Sequence, residues 1–380
     1  MDFGVCNRID CTGCSACFSS CPKRCIEMKE DEFGFLYPLI NGSACIGCNK
    51  CSSICPQINR NSKFNYPFEC YAIRAKNVEK RKKSTSGGSA IVLMESFLKQ
   101  GGVVYCTSFD EGIIAIRRFS QATFNDNLLK IKGSKYAQTV IGNAFTNIKK
   151  DLNEGIKVLF VSTPCQVDGL YHFMGSMTQN LYTVDLVCHG VPSQKMLFDH
   201  LENCGLQIKE ITNISFRKGA KYYLSVFNDS NAIYCNNLFY DKYLESFLSN
   251  LSLRDSCFNC LYARPERVGD ITLGDFWGLL NDCELKIEDG VNLALINTPK
   301  GEELFSLFGI DVDSEKRTVA EAISGNSQLQ SSSNPHRNRK KFKIEYLKKG
   351  FDNAVKRSRR FKTRVRYLPI IRKYVLKRYE

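Results

Sequence analysis

The chain has 380 residues, 43% of them hydrophobic, with 19 cysteines and a formal net charge of +14. This length suits two or three domains, and so long a chain does not read as a small disulfide scaffold. The opening MDFGVCNRIDC lacks the basic and apolar regions of a secretory signal, and no apolar run of about 20 residues suggests a membrane span. A cytoplasmic protein is therefore expected, its cysteines serving as metal ligands or plain core residues. The charge is uneven. Pro335 to Glu380 holds 18 Lys and Arg against 3 Asp and Glu, so the preceding body is close to neutral and the basic character belongs to the tail.

CTGCSACFSSCP, from Cys11 to Pro22, returns as CIGCNKCSSICP, from Cys45 to Pro56. Both copies read C-x2-C-x2-C-x3-C-P, the run of bacterial two-cluster ferredoxins, in which the fourth cysteine ligates the other cluster. The spacing assigns Cys11, Cys14, Cys17 and Cys55 to one 4Fe-4S cluster, and Cys45, Cys48, Cys51 and Cys21 to a second. Zinc knuckles fit poorly, because zinc sites offer cysteine pairs separated by a longer spacer. Cys6 and Cys25 fall outside the pattern and read as ordinary core or surface thiols. The expected unit is an α+β ferredoxin module over residues 1–62, followed by a polar linker at 57–69.

Beyond the linker, CYAIRA (70–75) reads as a strand. Ser89 to Gln100 has helical spacing and ends at Gly101-Gly102. VVYC (103–106), KVLFV (157–161) and LYTVDLVC (181–188) read as strands, with helices over 141–153 and 193–203. This alternation predicts an α/β core with a largely parallel or mixed sheet.

Three features of the core point to chemistry. Ser84 to Ser89 (STSGGS) stands before a helix, where small residues and N–H groups suit a phosphate or flavin pyrophosphate; an ordinary helix cap is the competing reading. No G-x-G-x-x-G is present, so a standard dinucleotide fold is not supported. Cys165 stands after the strand KVLFV and Cys188 at the end of LYTVDLVC, where ligands of open α/β sheets gather. Cys257 and Cys260 form a close pair in CFNC. Together these four cysteines could hold a third 4Fe-4S cluster or a zinc ion. Cys165 could equally be a nucleophile, or all four could be inert buried thiols.

The stretches STSGG (84–88), KGSKY (132–136), STPCQ (162–166), VDLVCHGVP (184–192), ISFRKG (214–219), CFNC (257–260) and DITLGDFWG (270–278) together resemble the beta-subunit family of coenzyme F420 hydrogenases and dehydrogenases, here fused to a ferredoxin. Ferredoxin-fused members also resemble proteins of bacterial polysaccharide gene clusters. The resemblance implies an N-terminal-like region at 70–150 and a C-terminal-like region at 151–330. It implies an FAD-containing iron–sulfur oxidoreductase with a third 4Fe-4S cluster on Cys165, Cys188, Cys257 and Cys260. It places Ser86, Gly87, Gly88, Ser89, Lys135, Tyr136 and Arg217 toward flavin or substrate, with Asp275 and Trp277 as structural neighbours. Substrates would be an F420-like deazaflavin or a polysaccharide-pathway metabolite, and the redox partner another subunit or a ferredoxin. A non-catalytic electron carrier is the alternative. No catalytic residue is assigned.

The basic tail, 335–380, mixes Lys and Arg with aromatic and aliphatic residues, and Pro369 is expected to split it into two helices. Packing on its own protein, peripheral contact with the inner face of a membrane, and nucleic-acid contact are its three readings, the last the weakest.

Overall fold

The computed structural model describes residues 4–82, 84, 86–219, 221–285 and 290–358. The N-terminal unit comprises α1 (Ala16–Ser20), β1 (Ile26–Glu30), β2 (Leu36–Ile40) and α2 (Lys50–Ser53), with β1 and β2 forming an antiparallel hairpin. The sequence repeat is also a backbone repeat. Gly13 and Gly47 have φ of 70° and 67°, and Ser15 and Asn49, which precede α1 and α2, have φ of 63° and 55°. Left-handed residues of this kind are what anion-binding N–H concavities are built from, including those at many iron–sulfur sites. The Gly47 N–H donates to Cys45 Sγ at 3.5 Å.

The core follows as β3 (Glu69–Ala75), α3 (Val78–Lys82), α4 (Ser89–Lys99), β4 (Val103–Asp110), β5 (Ile113–Phe119), α5 (Gln121–Phe124), α6 (Leu128–Ile131), α7 (Ala144–Asn153), β6 (Val158–Ser162), α8 (Pro164–Met174), β7 (Leu181–Leu186) and α9 (Gln194–Asn203). A three-stranded antiparallel sheet, β8 (Asn213–Lys218), β9 (Lys221–Asn228) and β10 (Asn231–Asn237), leads to α10 (Lys242–Leu248). The chain then adds β11 (Ile271–Asp275), β12 (Asn292–Ile296), α11 (Pro299–Phe308), β13 (Val312–Arg317), α12 (Val319–Gly325), α13 (Arg339–Lys349) and α14 (Phe351–Ser358).

The main sheet is eight-stranded, in the order β13-β3-β12-β11-β7-β6-β4-β5. Only the central pairs β11–β7, β7–β6 and β6–β4 are parallel; β4–β5 and the three pairs beyond β11 are antiparallel. The sheet is therefore mixed rather than largely parallel. The interior strand β6 is buried at every position, as its unbroken apolar run requires. LYTVDLVC stops as a strand at Leu186. The Val187 N–H makes a last bond to the Leu273 carbonyl, after which the chain turns Cys188 out of the ladder.

One hydrophobic cluster joins three distant segments: Phe33, Phe35 and Tyr37 of the N-terminal hairpin, Met196, Leu197 and Phe216 of the core, and Phe342, Tyr346 and Phe351 of the C-terminal helices. The described part of the basic tail thus packs on its own protein, broken at Gly350 between α13 and α14. Pro369 and residues 359–380 lie outside the described residues, and no helix among the described residues is long and apolar enough to cross a membrane.

His200 of α9 fastens α14. It is 2% exposed, with Nδ1 2.7 Å from Asp352 and Nε2 3.2 Å from Asp241; Lys242 also donates to Asp352, at 2.6 Å. Burial alone would lower the imidazole pKa, but the two carboxylates push it up to about 11 from the ordinary 6.5. A raised folded-state pKa contributes stability that is complete below pH ~6.5 and is lost as pH rises through about 11. Backbone hydrogen exchange in α14, corrected for intrinsic rates, should therefore be slower at pH 6 than at pH 10. A His200→Gln variant should remove most of that difference.

Candidate cofactor sites

The two cysteine sets of the N-terminal unit sit in different surroundings. Cys11, Cys14, Cys17 and Cys55 are each less than a tenth exposed and line one small cavity of about 20 Å³. Cys45 and Cys48 are exposed, as is every residue from Asn41 to Lys50, with Cys21 and Cys51 half-buried. Cys6 and Cys25, set aside on spacing, are neighbours of these sets. Cys6 reaches Cys11 and Cys55, and Cys25 Sγ is 3.4 Å from Cys21 Sγ. A hydrogen bond from Cys6 and the charge of Arg254 lower the pKa of Cys11 against the effect of burial.

A cavity of about 500 Å³ opens at the carboxyl ends of β6, β7 and β11, the edge at which open α/β sheets hold ligands. Strand β3 runs the same way as β11, because β12 is antiparallel to both, so the Ser84–Ser89 loop after β3 arrives at this edge too. The lining includes Cys165, Cys188, Cys257 and Cys260 together with Ser86, Gly88, Ser89, Lys135, Tyr136, Asp275 and Trp277. The volume lies within the usual range for small-molecule sites.

The four core thiols lie close enough to act on one another. Burial first, and then neighbouring thiols, push Cys165, Cys188 and Cys257 up to about 12, and burial raises Cys260 too. Bare thiols so placed stay protonated, whereas coordinated metal removes the proton outright. Gly190 makes room for the set, since a Cβ there would come 3.2 Å from Cys257 Cβ. Among the described residues no three His, Cys, Asp or Glu side chains converge as a single ion requires.

The Cys257–Cys260 turn is held from several sides. The Asp255 carboxylate accepts from Arg339 at 2.7 Å and from Lys343 at 2.8 and 2.9 Å, both on α13, and Arg339 also caps the Leu251 and Leu253 carbonyls. Behind the turn, Arg267 pairs with Asp185 at the end of β7. The ferredoxin-like unit meets this region through α8. Gly169 touches Cys14 and lies one helical turn beyond Cys165, on the same face.

Near the Ser84–Ser89 loop, Asn292 accepts from the Ser89 N–H at 3.2 Å, and Ser86 Oγ donates to the Val291 carbonyl at 3.2 Å. Gly87 packs against Asn292 and the Ile73 carbonyl instead of facing the cavity. Lys135 donates to the Lys132 carbonyl at 2.8 Å, and burial lowers its pKa to about 8. Tyr136 stacks on Phe247 with ring centroids 4.8 Å apart, and its hydroxyl accepts from Arg217 at 3.1 Å. Arg217 is not in the cavity wall. It pairs with Asp275 at 3.2 Å and lies over the Tyr222 ring at 4.4 Å. Four buried wall atoms, Ser89 Oγ, Gln138 Nε2, His189 Nε2 and Asn326 Oδ1, have no hydrogen-bond partner among the described residues. Buried polar groups are costly unless satisfied, so a polar ligand is their natural complement. Sequence reading missed Gln138, Arg254, Asn326 and Arg339. For Arg254 the available signal was its place three residues before a cysteine pair.

Residues 155–315 match the family described as the C terminus of the beta subunit of coenzyme F420 hydrogenase/dehydrogenase, and residues 10–59 match the 4Fe-4S dicluster domain. No curated protein matches the chain. Among solved structures, a chain of the F420-reducing NiFe hydrogenase complex from Methanosarcina barkeri is 19% identical, the match covering 77% of this chain and 91% of that one with a TM-score of 0.48. The buried and exposed cysteine sets thus fall within the dicluster match, and all four core thiols within the other. The chain thus resembles an iron–sulfur oxidoreductase subunit in two stretches: the 4Fe-4S dicluster domain at residues 10–59 and, over residues 155–315, the C-terminal part of the coenzyme F420 hydrogenase/dehydrogenase beta subunit.

Proposed function

We propose that the chain is an iron–sulfur, flavin-dependent oxidoreductase that moves electrons through three 4Fe-4S centres to or from an organic substrate. The observation that carries this reading is the single cavity walled both by four thiols and by the Ser86–Ser89 loop with its unpartnered donors and acceptors. In this reading Cys11, Cys14, Cys17 and Cys55 hold the buried cluster, Cys21, Cys45, Cys48 and Cys51 the exposed one, and Cys165, Cys188, Cys257 and Cys260 the third. The functional units are residues 1–62, 70–150 and 151–330, with 335–380 as an appended tail. The substrate is an F420-like deazaflavin or a polysaccharide-pathway metabolite.

Flavin, when bound, exchanges electrons in pairs with organic molecules and singly with iron–sulfur centres. The chain supplies position and electrostatics. Exposed Cys45 and Cys48 mark the edge where a redox partner delivers or collects electrons. Cys14 lies against Gly169, itself one helical turn from Cys165, and this contact joins the buried ferredoxin set to the core set. The first-turn N–H groups of α4 beyond Ser89, whose own N–H is taken by Asn292, would hold an anionic phosphate, and Ser89 Oγ and Asn326 Oδ1 would offer it the hydrogen bonds they lack. Lys135, with its lowered pKa, is placed to hold a proton or an anionic group at Nζ. Arg217 acts through Tyr136 and Asp275, fixing the aromatic side of the cavity.

Anaerobically purified protein should contain about twelve irons with matching sulfide, and about one FAD. Cys188→Ser should lower iron by about four while leaving the ferredoxin signals intact. Full iron with no flavin would transfer the reading to a non-catalytic electron carrier. A wild type with about eight irons would remove the third cluster.

A further inference from the structure

Among the buried arginines, Arg254 is set apart by its partners. Arg267, Arg217 and Arg339 each face a carboxylate. Arg254 is 1% exposed, yet among the described residues no carboxylate pairs with it: Nε donates to the Cys11 carbonyl at 2.7 Å, Nη2 to the Leu36 carbonyl at 2.9 Å and Nη1 to Gln138 Oε1 at 3.2 Å, and the guanidinium also reaches the Cys11 thiol. Its guanidinium lies 4.1 Å from the Tyr37 ring centroid and 5.6 Å from that of Phe35. A buried cation without a carboxylate partner is costly, so the fold must supply negative charge by another route. Two sources flank it. On one side is the cavity set, since Arg254 lines the same wall as Cys165 and Cys257; on the other is Cys11 of the ferredoxin set. The charge of Arg254 acts on all three of these thiols. Gly13, between Cys11 and Cys14, is the other half of the arrangement. A Cβ there would stand 2.4 Å from Gln138 Nε2 and 3.3 Å from Arg254 Nη1.

We propose that Arg254 is a positioning residue that docks the ferredoxin unit on the core and, as the shared cation between its buried cluster and the core cluster, raises the reduction potential of both. The proposal rests on the three-cluster reading given above. Its physics is simple: reduction adds negative charge, and a fixed cation in a poorly screened interior stabilises the reduced state on either side. The exposed cluster near Cys45 and Cys48 has solvent screening of its own and provides an internal control.

The test is a redox titration followed by electron paramagnetic resonance, with signals assigned through Cys188→Ser and Cys48→Ser and with iron counted in every sample. Arg254→Met should lower the two inner potentials by about tenfold in the one-electron equilibrium, about 59 mV, and leave the exposed cluster unchanged. Arg254→Lys should retain most of the wild-type values. Gln138→Glu, which sets a carboxylate beside the guanidinium without altering shape, should lower both inner potentials as well; it decides the matter if Arg254→Met loses iron. Unmoved inner potentials in iron-replete Gln138→Glu or Arg254→Met would overturn the proposal, as would a fall in Arg254→Lys equal to that in Arg254→Met. A wild type with about eight irons would refute the core cluster separately, and the potential of the Cys11 set would still decide the role of Arg254.

Discussion

Replacing Asp185 with asparagine is expected to destabilise the protein by about 3–5 kcal/mol, the usual cost of breaking a buried ion pair by removing one partner. Asp185 is fully buried at the end of β7 and accepts five hydrogen bonds. Oδ1 receives Arg267 Nη2 at 3.0 Å, Arg267 Nε at 3.3 Å and Thr272 Oγ1 at 2.6 Å; Oδ2 receives the N–H groups of Val268 at 3.2 Å and Gly269 at 3.0 Å. Asparagine keeps the shape but leaves the Arg267 charge without its counter-ion, and its own NH2 would face other donors. The damage should reach the turn that carries Cys260, the proposed cluster ligand, because Arg267 also caps the Tyr262 and Arg264 carbonyls just after it. Iron loss from the core set should accompany the lower unfolding midpoint. Glu154→Gln is the control. Its partner Lys150 is 3.9 Å away with both side chains more than half exposed, and such pairs contribute little. Equal midpoints for Asp185→Asn and Glu154→Gln would refute the account.

Gly169→Ala should also destabilise, against the intrinsic preference of helices. In an exposed helix interior this change stabilises by about 1 kcal/mol. Here the added methyl would stand 2.8 Å from Cys14 Cβ and 2.9 Å from its Sγ. Neither atom is the free end of a flexible chain, so α1 or α8 must shift, and overpacking of this kind costs about 1–3 kcal/mol. The sign of the result is thus diagnostic. A stabilised variant would show that the ferredoxin unit does not press on α8 in solution. A destabilised one should also lose iron from the Cys11 set and slow electron passage to the core set.

These two positions show what could be read from the residues alone. The dicluster domain was legible because the repeat compresses each cysteine run into twelve consecutive residues, and its left-handed turns fall on Gly, Ser and Asn. Strands β3, β4, β6 and β7 were legible from their apolar runs. Strands β12 and β13 were not, because NLALI and VDSEKR carry no mark of direction, and antiparallel pairing with β3 depends on residues more than 200 positions away. Arg217 carried a plausible role as an anion ligand, but its pairing with Asp275 came from a strand far along the chain. The apolar residues of α13 fitted either a lipid surface or a protein. Only the packing of Tyr346 and Phe342 with Phe33 decided between them for the described part.

The clamp of α13 on Asp255 bears on how the molecule is made. Chains emerge from the ribosome N-terminus first, so both cysteine repeats are available for metal loading early. Cys257 and Cys260 emerge much later, and the turn that carries them is not secured until Arg339 and Lys343 have followed. If the core thiols hold the proposed cluster, its loading would follow that of the first repeats, and any truncation upstream of Arg339 would leave the Cys257–Cys260 turn without its clamp.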